Sequence, residues 1–269
     1  MATAHARVHP VKFGLFVEGA HSTDKRRYEL LAELWETFSA RVTGAKPSVK
    51  VFGFSKGQIV NMATDAELKA NGIARSSVAA LDALIDDCHR THPFENAIVA
   101  FDIKPKNNVI AEDCMPGECR WILRRLTASA VLPDRFKAAA AAAMRSYSTV
   151  RTPPRAAARP PLTALELICM EPEFESLFID DPTTVLRALG LARKPKDFPK
   201  FVASSKPKDI LQDAIQHFAT PPARTRAGGG AMRGNPHGWA RLFINEAEED
   251  ARLFRHPTAT RLAKLLTTA

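Results

Sequence analysis

The sequence predicts an α/β fold: a parallel sheet of four strands flanked by helices, continued by a C-terminal helical extension. Two observations predict it. Four short apolar runs rich in β-branched or aromatic residues read as buried strands, and helical patterns lie between them, an alternation that calls for parallel strands covered on both faces. The length, 269 residues, suits one α/β domain with appended helices.

The first strand is expected at Lys12 to Val17, followed by a helix from Asp24 to Val42 whose Leu30, Leu31, Leu34, Trp35 and Phe38 form one stripe. Ser48 to Phe54 reads as the second strand. The next helix is expected from Ser76 to Cys88, with Val78, Leu81, Leu84 and Ile85 on its apolar side, ahead of a third strand at Ala97 to Phe101. The third connection is the longest. Gly117 to Leu126 looks helical, and Asp134 to Arg145 holds a run of alanines, Ala138 to Ala143, that favours helix by propensity alone. Arg151 to Pro161 carries four prolines and reads as a surface linker, because proline removes donors and biases its neighbours toward extended backbone. Leu165 to Cys169 is the fourth strand, and short helices follow at Pro182 to Leu189 and Pro207 to Phe218. Thr220 to Gly238, dominated by Pro, Gly and Arg, reads as a mobile loop, and Glu246 to Leu266 as a helical tail with a break at Pro257. This divides the chain into an α/β domain over 1–219, with a helical insertion at about 112–160, and a basic loop with C-terminal helices over 220–269.

Composition narrows the function classes. The formal charge is +9, and from Pro182 onward 15 Lys and Arg stand against 7 Asp and Glu. Such a field attracts nucleic acid or another polyanion, or else forms a solvated face. The four cysteines, Cys88, Cys114, Cys119 and Cys169, are too few and scattered for a disulfide framework, and Cys114 with Cys119 lacks the spacing of a zinc knuckle. A reducing cytoplasm fits, and no apolar run reaches the roughly 18 residues of a membrane span. No G-x-G-x-x-G or G-x-x-x-x-G-K-[ST] run follows a strand, so dinucleotide and P-loop chemistry are not indicated.

Two strands end in carboxylates. Phe13 to Gly19, FGLFVEG, delivers Glu18 followed by a glycine, and Asn96 to Asp102, NAIVAFD, delivers Asp102. In open α/β sheets ligands bind beyond the carboxyl ends of the strands. If the two strands are neighbours, both acids project into one crevice, a hard-oxygen site suited to Mg²⁺ or Mn²⁺; either acid alone is equally a solvated strand end. After the last strand, MEPEFESLFIDDP from Met170 to Pro182 offers Glu171, Glu173, Glu175, Asp180 and Asp181. Glu175 and Asp181 are candidate metal ligands, with Asp181 before Pro182 also a natural helix N-cap.

These segments in this order, followed by KPKDIL at Lys206 to Leu211, resemble the Toprim-like fold of topoisomerases, primases and OLD-type nucleases. They are similar above all to a small bacterial Toprim-like family of unknown function with a VEG segment and a later E-x-W-x-x-x-D-P segment. Glu175 to Pro182 matches the latter, with Leu177 in the aromatic position, and the resemblance runs over about Lys12 to Phe218. It implies a catalytic Glu18, a metal-holding Asp102 and metal-assisted hydrolysis of a phosphodiester, beside a partner ATPase in phage defence or DNA repair. Toprim families carry a second Asp two residues after the first. Here Lys104 takes that place, and an ammonium can contact a phosphate but cannot ligate Mg²⁺.

Smaller candidates complete the set. His21, Ser22 and Thr23 can touch a phosphate, with Thr23 equally a helix N-cap. Lys56 at the end of the second strand can meet substrate, although fold analogy favours an exposed turn lysine. Arg224, Arg226 and Arg233 suit phosphate contact without sequence readout, and His237 and Trp239 suit stacking on a base or anchoring of a helix. The expected function is a metal-dependent nuclease; its rival is a catalytically idle nucleic-acid- or partner-binding module.

Overall fold

The computed structural model describes residues 11–19, 25–102, 115–148, 164–170, 173–201, 206–231 and 234–267. In chain order its elements are β1 (Val11–Glu18), α1 (Lys25–Thr43), β2 (Val49–Phe54), α2 (Lys56–Val60), α3 (Asp65–Ala70), α4 (Leu81–Thr91), β3 (Phe94–Asp102), α5 (Met115–Thr127), α6 (Asp134–Ser148) and β4 (Leu165–Met170). There follow α7 (Ser176–Ile179), α8 (Pro182–Ala188), α9 (Pro207–Phe218), α10 (Pro221–Arg226), α11 (Pro236–Glu246), a 3-10 turn at Arg252–Arg255 and α12 (Pro257–Thr267).

The four strands form one sheet in the order β2-β1-β3-β4, and every pairing is parallel. The α/β class, with helices on the sheet and further helices at the C-terminal end, is as the sequence predicts, and it is consistent with a Toprim-like layout. Alternate side chains of each strand feed two separate cores, which is why the strands are apolar on both sides. Phe13, Leu15 and Val17 point into one core with Ile98, Ala100 and Ile168, and α1, α8, α9, α11 and α12 cover it. Phe16, Phe52, Val99, Phe101 and Leu167 face the other, beneath α4, α5 and α6.

Close packing explains a glycine in the middle of β1. A Cβ on Gly14 would lie 2.8–2.9 Å from ring carbons of Phe94, so the Phe94 ring fills the space a side chain would need.

Three stretches differ from their expected form. The helix predicted from Ser76 begins only at Leu81, because Asn61 Nδ2 donates to the Ser76 and Val78 carbonyls and Asn61 Oδ1 accepts from the Ser76 N–H, holding that segment off helical geometry. Thr220 to Gly238 is not simply a loop. Thr220 accepts from the Ala223 N–H to start α10, and Gly228, Gly229 and Gly230 then turn the chain with φ of 84°, 79° and 76°. Pro257 opens α12 instead of breaking a helix, in keeping with the preference of proline for a first turn. The helices after residue 220 also share the sheet's core: Trp239, Phe243, Leu262 and Leu265 are buried with Phe13 and Leu15. Cys119 is disulfide-bonded, whereas Cys88 is a free thiol that burial, above the nearby Asp87, pushes up to about 12. Among the described residues no helix is long and apolar enough to cross a membrane.

Candidate metal centre

The sheet order places one residue group after each strand on a single edge. From β2 to β4 these are Lys56, Glu18 with Gly19, Asp102, and Glu173 with Glu175. The chain leaves β1 toward β2 on one side and returns to β3 on the other, so the order reverses between β1 and β3. That reversal opens a crevice at the carboxyl ends of the strands, and Glu18 and Asp102 stand on its two sides. They share a cavity of about 90 Å³ whose lining also includes Glu175, Lys208 and His237. A Glu18 carboxylate oxygen accepts the Asp102 backbone N–H at 3.1 Å.

Three carboxylates converge beside Glu18. Asp102, Glu173 and Glu175 each bring one oxygen to within 4.8 Å of the others, a grouping able to hold a metal ion. Glu173 and Glu175 are 3% and 7% exposed, a depth at which carboxylates need partners. The chain fixes them through Phe174. Its ring lies 5.0 Å from Trp35 and 5.6 Å from both Phe38 and Phe178, while its backbone N–H donates to Asp102 Oδ1 at 2.9 Å. An inward phenylalanine thus sets the flanking acids at the edge of the core.

Cations and helix ends balance this charge. The Lys208 N–H, in the first turn of α9, donates to Glu173 Oε1 at 2.9 Å, so Glu173 also satisfies one of the donors a helix start leaves open. Lys208 Nζ lies 3.6 Å from Glu175 Oε1. On the opposite side Lys56 Nζ is 3.7 Å from Glu18 Oε2 and donates to the Asp102 carbonyl. Lys56 is therefore part-buried at the first position of α2, behind a capping box between Ser55 and Gln58, and is not the exposed turn lysine that fold analogy favours.

Gly19 and His237 close the cavity. Gly19 has φ of 149°, and a Cβ there would sit 3.0 Å from His237 Cε1 and 3.3 Å from Leu31 Cδ1. Both facts exclude a larger residue after Glu18 without rearrangement. His237 hydrogen-bonds the Gly19 backbone. Burial first, then the Lys208 and Arg27 charges, lower it to about 4, so the ring is neutral near pH 7.

The other candidates fall elsewhere. Asp181 is 3% exposed, but its oxygens accept from the Thr184 N–H and hydroxyl and from the Leu253 N–H, and it does not line the cavity; the N-cap alternative describes it. Arg224 donates to the Ala219, Ile215 and Gln216 carbonyls at the end of α9, and Arg226 is paired with Glu246. Trp239 is buried, its Nε1 donating to the Gly230 carbonyl, in the helix-anchoring role. Lys104, Arg233, His21, Ser22, Thr23 and Glu171 lie outside the described residues. Sequence reasoning did not single out Glu173 or Lys208; the signal for Glu173 was the alternation around Phe174.

No family model, curated protein or solved structure matches this chain.

Proposed function

We propose that this chain is a Toprim-like, divalent-metal-dependent phosphodiesterase acting on nucleic acid, with Asp102, Glu173 and Glu175 holding Mg²⁺ or Mn²⁺. The observation that carries the reading is the convergence of those three carboxylates at the β1/β3 crevice beside the Glu18–Lys56 pair. All-oxygen donors with water and substrate phosphate completing the shell are what Mg²⁺ prefers. When bound, the ion supplies stabilisation of the charge that develops on the phosphate.

The chain's own groups do the rest. Glu18 is close enough to Asp102 to share its substrate and serves as the base for an attacking water, a role that suits a carboxylate 15% exposed. Lys56 steadies Glu18 and offers an ammonium to a phosphate oxygen. His237, neutral and hydrogen-bonded to Gly19, holds the turn after Glu18 in place.

A second reading, a binding module without catalysis, draws support from the internal partners of these acids. Lys208, the α9 N-terminus and the Phe174 N–H already satisfy several carboxylate oxygens. The two readings separate in a cleavage assay on single- and double-stranded DNA and RNA with Mg²⁺ or Mn²⁺. The enzyme reading expects metal-dependent cleavage that Glu18→Ala and Glu175→Gln both abolish. Cleavage of none of the four substrates, or cleavage unchanged in both variants, removes it in favour of the module.

A further inference from the structure

Next to the acidic cavity lies a second cleft of opposite character. It has a volume of about 330 Å³ and is lined by Arg26 and Arg27 from the first turn of α1, by Gly228, Gly229 and Gly230, and by the start of α11 from Asn235 to His237. Among the described residues its lining includes two guanidinium groups and no carboxylate. The two cavities share Pro236 and His237, so the basic cleft is continuous with the wall of the acidic one.

The glycine turn is built to leave that cleft open. Asn235 Nδ2 donates to the Ala227 carbonyl at 2.7 Å and the Gly229 carbonyl at 3.2 Å, and Trp239 Nε1 donates to the Gly230 carbonyl at 3.2 Å. These bonds engage the Ala227, Gly229 and Gly230 carbonyls and tie the turn to α11, whose Trp239 is fully buried. Because the three consecutive positions all have positive φ, only glycine occupies them without strain, and these three positions present bare backbone to the cleft. Bare backbone opposite two arginines is a surface that lets a phosphate approach closely while the guanidinium forks supply charge-assisted hydrogen bonds. The volume is at the small end of ligand pockets, enough for a nucleotide unit and not for a duplex.

We infer that this cleft grips a backbone phosphate of a single nucleic-acid strand, neighbouring the phosphate that enters the acidic cavity. The inference rests on the proposed nucleic-acid substrate and adds the strandedness and the site of the second contact. Arg26 and Arg27 carry it, in place of Arg224 and Arg226, which bond to α9 carbonyls and to Glu246. A single strand threads the shared wall at His237 with one phosphate on each side. Contact to phosphate alone carries no base preference.

The test separates this grip from the metal chemistry by working without metal. Binding of a thymidine tetranucleotide in EDTA is measured by fluorescence anisotropy for the wild type, Arg26→Ala/Arg27→Ala, Arg26→Glu/Arg27→Glu and the control Lys69→Ala, with inorganic phosphate as competitor. The alanine pair is expected to weaken binding about tenfold or more and to lower the slope of log affinity against log salt by about 0.7 for the one phosphate lost. The glutamate pair is expected to abolish binding, and Lys69→Ala, an exposed cation outside both cavities, to leave it in place, all with melting temperatures unchanged. Equal affinity of the wild type and both arginine variants overturns the inference. So does competition by inorganic phosphate at the concentration of the tetranucleotide, which would assign the cleft to a free anion. Loss of metal-dependent cleavage with this binding intact leaves the grip standing and refutes only the enzyme reading.

Discussion

Phe174 holds two carboxylates on either side of a ring lodged against Trp35, Phe38 and Phe178. Glu173 and Glu175 therefore depend on an apolar side chain for their position. Replacing Phe174 by Ala removes that ring from the core and frees the turn between β4 and α7. The expected cost is about 3–5 kcal/mol in urea unfolding, with any affinity for Mn²⁺ falling in the same variant. A loss below about 1 kcal/mol would mean that the ring is not the anchor. His237 gives a prediction in pH. Its value in the folded chain is about 4 against an ordinary 6.5, so between those limits the unfolded chain binds more protons. The stability contributed by the neutral ring is full above about pH 6.5 and is lost as the pH falls toward 4. His237→Gln should flatten the slope of stability against pH in that window, and a slope identical to the wild type contradicts the buried, neutral assignment. At this scale the sequence was partly readable. A carboxylate at the end of each of two apolar runs pointed to Glu18 and Asp102. Nothing local marked Lys208, which reaches Glu175 across a loop and a helix start, or the partners that tie down Asp181.

Among elements, the strands were legible because burial on both faces leaves a continuous apolar run that no other part of the chain imitates. β3 nonetheless begins at Phe94, three residues before its expected start, since Phe94 belongs to the core and packs edge-on against Phe16 while Glu95 and Asn96 interrupt the apolar run. The helices α2 and α3, of five and six residues, are too short to show a period, and their only signals are caps: Ser55 with Gln58, and Thr64 with Glu67. Glu67 does more than cap. Burial pushes its carboxyl up, but the Thr64 backbone and hydroxyl, Arg125 and Trp121 together hold it down to about 2, tying α3 to α5. A substitution in β1 tests the packing between strand and ring: Gly14→Ala forces a Cβ against Phe94 and should cost about 1–3 kcal/mol by chemical denaturation. Neutral behaviour of Gly14→Ala would mean that the Phe94 ring yields freely.

For the molecule as a whole, the position of the C-terminal helices was the least legible feature. Their amphipathic patterns were visible, but the face they cover is set by the sheet and by α1, more than 200 residues earlier. Arg41 donates to the Ala247 carbonyl and Arg241 pairs with Glu33, binding α1 to the end of the chain. A chain ending at residue 219 loses Trp239, Phe243, Leu262 and Leu265 from the core under Phe13 and Leu15. It should lack a cooperative thermal transition, and a sharp transition in that fragment would make 220–269 a separate unit. The basic surplus is likewise a property of the whole: Arg226 pairs with Glu246 and Arg241 with Glu33, so part of it is engaged in this packing. The central claim is that Asp102, Glu173 and Glu175 form a cation site at the β1/β3 crevice. Anomalous diffraction from crystals soaked in Mn²⁺ tests it most directly. One peak within ligand distance of all three carboxylates, absent in Glu173→Gln/Glu175→Gln crystals, is the predicted result; a difference map without a peak there, with Lys208 still seated against Glu175, contradicts it.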